Sequence, residues 1–304
     1  MSRTPVLFVV GPTATGKTEL AAEIARRLSG EIVSADAFAV YRGLDVGTAK
    51  PPGALRAEIP HHLIDVADPA EPFSAGRWAS EARRAVEDIE GRGRVPIVVG
   101  GSHFYVRALL EGLPGERVEA PALRRFFADG WTAQGRRTRK RMLDVLDPAY
   151  GARVSAGDTA RISRALEVML ATGCRISERA PAVPAFPGRR VLRLSLLFDR
   201  EDLYTRIPMR VRAMWTAGWP REVENLLAAG VSPDAPAFRA IGYGELVRRL
   251  RGEMSEEDAF ARTVARTRAL AKRQRTWLAS EPGLETLRFT DAVRRAVAFV
   301  ADPA

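Results

Sequence analysis

The stretch Gly11-Pro12-Thr13-Ala14-Thr15-Gly16-Lys17-Thr18 fits the phosphate-loop pattern G-x-x-x-x-G-K-[ST] at every fixed position. The apolar run 6–10 leads into it, and Glu19, Leu20, Ile24 and Leu28 behind it fit a helix with one apolar stripe. In such a loop the glycines let the backbone curl until several N–H groups converge on phosphate oxygens at a helix N-terminus. Gly11, Thr13, Ala14, Thr15, Gly16, Lys17 and Thr18 are therefore the candidate phosphate-binding residues. Lys17 adds a positive charge, and the Thr18 hydroxyl is the expected Mg²⁺ ligand. The loop predicts a di- or triphosphate ligand and leaves its identity open.

Working outward, residues 1–113 alternate apolar runs with helical patterns. Strands are expected over 6–10, 31–34, 62–66 and 95–99. Helices are expected over 17–28, 75–90 and 104–111, the second capped by Ser74 and closed by Gly91. This alternation predicts a parallel sheet wrapped by helices, an α/β fold of the phosphate-loop NTPase type. From 114 to 182 the strand signal disappears. The segment is Arg-rich and helical in pattern, and it ends in Pro181, Pro184 and Pro187. It reads as an all-helical insertion domain that returns through a stiff linker. The core resumes over 183–304, with a strand at 191–198, helices at 201–217, 220–229, 244–251 and 255–279, a strand at 287–289 and a closing helix. Ser255 followed by Glu256, Glu257 and Asp258 is a helix start with acids in its first turn.

The chain has 304 residues and a net charge of +10, with 43 Arg against 4 Lys. That imbalance fits a polyanionic partner or a base-composition bias, and the distribution of charge says more than the total. Arg124, Arg125, Arg136, Arg137, Arg139, Lys140 and Arg141 stand against the single acid Asp129. Arg262, Arg266, Arg268, Lys272, Arg273 and Arg275 have no acid among them. Either cluster could be a solvated helix face; two acid-poor clusters point toward nucleic acid. No run approaches the roughly 20 apolar residues of a membrane span. The first strand begins too early to leave room for a signal peptide. The lone Cys174 excludes an internal disulfide and a cysteine zinc site. A cytoplasmic monomer is expected.

Four places could carry chemistry. Asp36 follows the second strand at the carboxyl edge of the sheet, where open α/β sheets bind ligands. It could ligate Mg²⁺ through water, accept a proton, or cap a turn. Ser102 follows Gly100 and Gly101 at a helix start, placed either to hydrogen-bond an oxyanion or to cap the helix. Arg206 and Arg210 lie four apart on one helix face and could clamp a diphosphate. His61, His62 and His103 lack the spacing of a metal site.

Taken in order, these motifs resemble the tRNA dimethylallyltransferases, or tRNA isopentenyltransferases. The resemblance rests on Gly11 to Thr18, Ser34-Ala35-Asp36, and Asp45-Val46-Gly47-Thr48-Ala49-Lys50-Pro51. It continues through His61-His62-Leu63-Ile64-Asp65, Phe73-Ser74-Ala75 and Gly100-Gly101-Ser102-His103-Phe104-Tyr105. It closes with Arg161-Ile162-Ser163-Arg164, Ile241-Gly242-Tyr243 and Ala271-Lys272-Arg273-Gln274-Arg275-Thr276-Trp277-Leu278. It covers essentially the whole chain, in the compact bacterial form that lacks the zinc finger of some eukaryotic relatives.

The resemblance implies transfer of a dimethylallyl group from dimethylallyl diphosphate to N6 of the adenosine immediately 3′ of the tRNA anticodon. It implies that the phosphate loop holds the prenyl diphosphate, with Mg²⁺ at Thr18. Lys17, Asp36 and Ser102 are the implied catalytic residues, Asp36 as the acceptor of the amine proton and Ser102 at the bridging oxygen. An arginine of the Arg206/Arg210 pair, Arg206 by preference, would bind the diphosphate. The anticodon stem-loop would be gripped by Asp36, Ala37, Phe38, Ala39 and Ser102, by Ala160, Arg161, Ile162, Ser163 and Arg164, by Arg239, Ala240, Ile241, Gly242, Tyr243 and Gly244, and by Lys272, Arg273 and Arg275.

The sequence departs from the family pattern at several of these positions. Ser102 stands where the family usually has Thr, Ala37 where Ser is common, Ala39 and Ala160 where Gln is usual, and Gly244 where a basic residue is frequent. Each departure near the RNA loop removes a side-chain hydrogen bond and leaves the phosphate loop and Asp36 intact. Three other readings share parts of this evidence: a small-molecule phosphate-loop kinase, an adenylate isopentenyltransferase, and an RNA-binding protein without activity. The kinase leaves Asp45 to Pro51 without a task. The adenylate enzyme leaves the basic insert without one.

Overall fold

The computed structural model describes residues 4–113, 118, 120–128, 131–180 and 182–302. The expected insert start at Pro114, the acid Asp129 and the linker residue Pro181 lie outside the described residues. The chain divides into a unit of residues 1–110 and 184–304 and a second unit of residues 111–183.

The larger unit is a six-stranded, fully parallel sheet. Its strands are β1 (Val6–Val10), β2 (Gly30–Ser34), β3 (His61–His62), β4 (Val95–Gly100), β5 (Val191–Leu196) and β6 (Leu284–Leu287), in the spatial order β3-β2-β4-β1-β5-β6. β1 pairs with β4 on one side and β5 on the other. It is buried along its whole length, as its unbroken apolar run requires of a central strand covered on both faces. Two turns that leave adjacent carboxyl ends, after β1 and after β4, therefore open onto the same crevice.

Helices α1 (Lys17–Leu28), α2 (Gly53–Glu58), α3 (Ala75–Gly91) and α4 (His103–Leu110) accompany the first four strands. Leu20, Ala21, Ile24 and Ala25 form the buried stripe of α1. Ser74 caps α3 by accepting the Arg77 N–H at 3.1 Å, and the helix ends at Gly91. α2 carries no buried residue, which explains why no periodic pattern announced it.

Two expected strands are displaced. β3 covers only His61–His62 instead of 62–66, because Leu63 and Asp65 take left-handed φ values of 62° and 60° and turn the chain out of the ladder. β6 covers Leu284–Leu287 instead of 287–289. Phe289 already belongs to the closing helix.

The smaller unit is helical: α5 (Pro121–Ala128), α6 (Ala133–Leu146), α7 (Pro148–Gly151) and α8 (Thr159–Thr172), with no strand among the described residues. Phe127, Leu143, Val154, Ile162, Ala165, Leu166 and Met169 form its own core. The buried Asp147 caps α7 through the Tyr150 N–H at 3.0 Å and holds Ser177 through both its N–H and its hydroxyl.

The chain then completes the larger unit with α9 (Arg200–Thr216), α10 (Trp219–Ala228), α11 (Tyr243–Leu250), α12 (Glu256–Leu278) and α13 (Phe289–Ala301). Ser255 caps α12 by accepting the Asp258 N–H at 3.0 Å. No helix among the described residues is long and apolar enough to cross a membrane.

Candidate functional site

A cavity of about 550 Å³ lies at the carboxyl ends of β1, β2 and β4. Its phosphate-loop wall is built by Thr13, Ala14, Gly16, Lys17, Thr18 and Glu19. Ala14 and Gly16 take positive φ, 64° and 90°. The Thr15 hydroxyl donates to the Pro12 carbonyl at 2.9 Å and closes the curl from inside. Thr15 is thus buried, and its side chain belongs to the loop's own scaffold. The Lys17 ammonium donates to the same carbonyl at 2.5 Å. Desolvation, and then the nearby Arg210 charge, lower the Lys17 pKa to about 8; Asp36 and Glu19 oppose them. A cation so crowded by another cation is short of an anion.

The opposite wall carries Asp36. Its Oδ1 accepts the N–H groups of Phe38 at 2.8 Å and Ala39 at 3.2 Å, which turns the chain directly after β2. Oδ2 has no hydrogen-bond partner among the described residues. The β4 turn packs against this one. Ala35 donates to the Val99 carbonyl at 2.7 Å, and Ser102 N–H donates to the Ala35 carbonyl at 3.2 Å. A Cβ on Gly100 would lie 2.1 Å from that carbonyl oxygen, so only glycine fits. The Ser102 hydroxyl accepts the Ala37 N–H at 3.0 Å. It does not cap α4; its oxygen faces the Asp36 turn and its own proton stays available to donate.

Arg206 and Arg210, both on α9, line the cavity. Arg206 is exposed, whereas Arg210 is half-buried, and its pKa is lowered by desolvation against the pull of Asp36 and Glu19. Of the two, Arg210 is the one whose charge bears on Lys17 and is drawn by Asp36 and Glu19.

Three residues without an assigned role prove central. Gln274 on α12 is buried; it accepts the Thr13 N–H at 3.0 Å and donates to the Gly101 carbonyl at 2.9 Å. The Lys50 side chain is 2% exposed and donates to the Tyr41 carbonyl and Asp45 at 2.7 Å each, and to Asp65. Glu222 on α10 accepts the backbone N–H groups of Asp45, Val46 and Gly47 at 2.8, 2.6 and 3.2 Å. Together Lys50 and Glu222 shape the 45–51 loop, whose Thr48, Ala49, Lys50 and Pro51 line the cavity. The only sequence signal for Gln274 was its place in the 271–278 motif. Glu222 gave none.

The candidate RNA contacts divide by exposure. Lys272 and Arg273 on α12 are exposed and Arg275 half-buried; Arg239 is exposed. Ala37 and Phe38 are half-buried beside Asp36, and Ala39 lines the cavity although only 5% exposed. Ala160, Arg161 and Arg164 are exposed on α8, while Ser163 donates inward to the Phe127 carbonyl at 3.0 Å.

Four of these candidates pack inward. Ile162 is buried in the core of the smaller unit, and Ala240 and Tyr243 are buried in that of the larger. Ile162 and Ala240 have no polar side-chain atom, and the Tyr243 hydroxyl donates to Glu222 at 2.6 Å. Gly242 is likewise packing: a Cβ there would lie 2.1 Å from the Trp219 ring. Ile241 and Gly244 are half-buried.

The basic run of the insert also divides. Arg124 pairs with the buried Glu167 at 3.0 Å, Lys140 pairs with Asp144, and Arg139 lies 4.5 Å above the Trp131 ring. Arg125, Arg136, Arg137 and Arg141 are exposed.

Comparison with known proteins agrees with this geometry. A family model described as IPP transferase matches residues 39–281, and one described as isopentenyl transferase matches residues 4–58. A tRNA dimethylallyltransferase of Nocardioides sp. is 41% identical over 99% of this chain and 97% of its own. One from Solibacter usitatus is 43% identical over 93% and 92%. The crystal structure of a tRNA isopentenylpyrophosphate transferase from Bacillus halodurans superposes with a TM-score of 0.71, at 30% identity, over 98% of this chain and 97% of that one. A eukaryotic dimethylallyltransferase acting on tRNA superposes with a TM-score of 0.72, at 27% identity, over 90% and 70%. The phosphate loop, the Asp36 turn and the 45–51 loop thus belong to a chain that is a member of the IPP transferase family.

Proposed function

We propose that this protein transfers a dimethylallyl group from dimethylallyl diphosphate to N6 of the adenosine immediately 3′ of the anticodon in tRNA, releasing diphosphate. The observation that carries the proposal is the convergence of Lys17, Thr18 and Arg210 with Asp36 on one cavity. An anion subsite and a carboxylate with a free oxygen then lie within reach of one bound donor. The names of the relatives, which act on tRNA, support the acceptor.

In this reading the N6 lone pair attacks C1 of the donor. The C1–O bond breaks, and its electron pair leaves with the diphosphate. Lys17 and Arg210 offset the charge that develops there. The Ser102 hydroxyl, already accepting from Ala37, donates a hydrogen bond to the bridging oxygen and keeps its proton. Asp36 Oδ2 takes the N6 proton while Oδ1 stays fixed by Phe38 and Ala39. The adenine has to leave its stack to reach this point.

Mg²⁺ fits the same cavity. The Thr18 hydroxyl and the carboxylates of Asp36 and Glu19 line it, and Mg²⁺ commonly takes one or two protein oxygens plus substrate phosphates and water. When bound there it would neutralise charge on the diphosphate. Equilibrium binding of labelled dimethylallyl diphosphate and labelled ATP tests the donor. Tight binding of the prenyl donor, abolished by Lys17→Met, is expected; preference for ATP would return the site to kinase chemistry.

A further inference from the structure

The two turns that meet at the cavity leave from adjacent strands, yet one side chain joins them. Gln274 holds the Thr13 N–H at 3.0 Å with its Oε1 and the Gly101 carbonyl at 2.9 Å with its Nε2. Among the described residues no other hydrogen bond runs between the 11–18 loop and the 100–102 turn. The fit is close: a Cβ on Gly101 would lie 2.3 Å from the Gln274 Nε2. Both ends of the amide are used in their only compatible sense, oxygen to a donor and nitrogen to an acceptor. The residue is 5% exposed, so water competes little for either bond.

We propose that Gln274 is a positioning residue that couples the phosphate loop to the Ser102 turn. The inference rests on the proposed phosphate-loop binding of the donor. Diphosphate bound on the 11–18 loop is fixed relative to Ser102, and through the Ser102–Ala37 bond relative to Asp36, only while the amide spans both turns. Loss of the bridge leaves the anion site in place and lets the scissile bond drift from the groups that act on it. A shift of about 1 Å at such a centre costs roughly 10²-fold in rate.

Hydrogen exchange with inorganic diphosphate and Mg²⁺ as probe reads the coupling without any acceptor. In the native protein, ligand is expected to slow exchange in both 11–18 and 99–104. In Gln274→Met it should slow 11–18 alone. Gln274→Glu, which keeps an oxygen for Thr13 and loses the donor to Gly101, guards against a folding failure and should behave the same way. In steady-state transfer, kcat should fall roughly 10²-fold with the donor KM within about threefold. Equal protection of 99–104 in native and variant proteins, or lowered thermal stability with kcat intact, overturns the coupling. Absence of protection at 11–18 in the native protein overturns instead the phosphate-loop reading beneath it.

Discussion

The Tyr243 phenol donates to Glu222 across 2.6 Å, and the same carboxylate accepts three successive backbone N–H groups of the loop that begins at Asp45. Burial, reinforced by the Glu222 charge, raises the Tyr243 pKa, so the phenol remains a donor at any working pH. Tyr243, through Glu222, therefore braces the loop that forms one cavity wall.

Glu222→Gln replaces one accepting oxygen with an NH₂ that faces N–H donors. Loss of a charge-assisted network of this kind should cost about 2 kcal/mol of stability. Transfer should fall roughly tenfold or more as the 45–51 wall loosens, with diphosphate affinity unchanged. Thermal unfolding and donor titration check the two halves; unchanged turnover would confine Glu222 to packing.

Lys17 sets the pH dependence of donor binding. Its pKa of about 8 lies below the usual 10.5 because burial and Arg210 disfavour its charge. A bound diphosphate reverses that balance and raises the pKa, so near pH 8 binding takes up a fraction of a proton. Diphosphate affinity should be flat below about pH 7 and fall as pH rises through 8. Calorimetry in buffers of different ionisation enthalpy measures the uptake, and Lys17→Met should abolish it. For stability the sign is opposite to that of an ion-paired lysine. The unfolded chain binds more protons between pH 8 and 10.5, so the penalty at Lys17 is full below 8 and is relieved across that window.

Asp36→Asn separates the base from the turn. The amide oxygen still accepts from Phe38 and Ala39, so the loop should keep its form. Turnover should drop by roughly 10²–10⁴, while tRNA affinity measured by filter binding stays within a few-fold. Turnover close to native would take Asp36 out of proton transfer.

Replacing Arg136, Arg137 and Arg141 together with Gln should weaken tRNA binding and reduce the slope of log affinity against log salt by up to about 3. Arg139 is excluded, since its guanidinium lies over Trp131 and its loss would act on the fold of the insert. An unchanged affinity and slope would show that this helix does not grip RNA.

Much of this architecture was legible along the chain. The phosphate loop announces itself because glycine spacing and a central apolar strand are local properties. Caps such as Ser74 and Ser255 are local too. The 62–66 strand was misjudged because its apolar residues are interrupted by left-handed Leu63 and Asp65, a turn imposed by tertiary bonds from Lys50 and Arg56 to the Asp65 carboxylate. Glu222 was illegible for the same reason: its partner Gly47 lies 175 residues away and nothing in the neighbouring sequence marks it. Gln274 stands in the 271–278 motif, but its partner Thr13 lies 261 residues away, so the motif does not disclose its task. Gly47 shows the converse. It sits in a recognisable motif, but the need for glycine comes from Trp219, whose Nε1 would lie 2.0 Å from an added Cβ.

The most direct test offers the purified protein, Mg²⁺ and radiolabelled dimethylallyl diphosphate to unmodified tRNA and, separately, to AMP. The account predicts label in tRNA, mapping to the adenosine immediately 3′ of the anticodon, with none in AMP and a rate lower by roughly 10²–10⁴ with Asp36→Asn. Label only in AMP, or none in either acceptor, would contradict it.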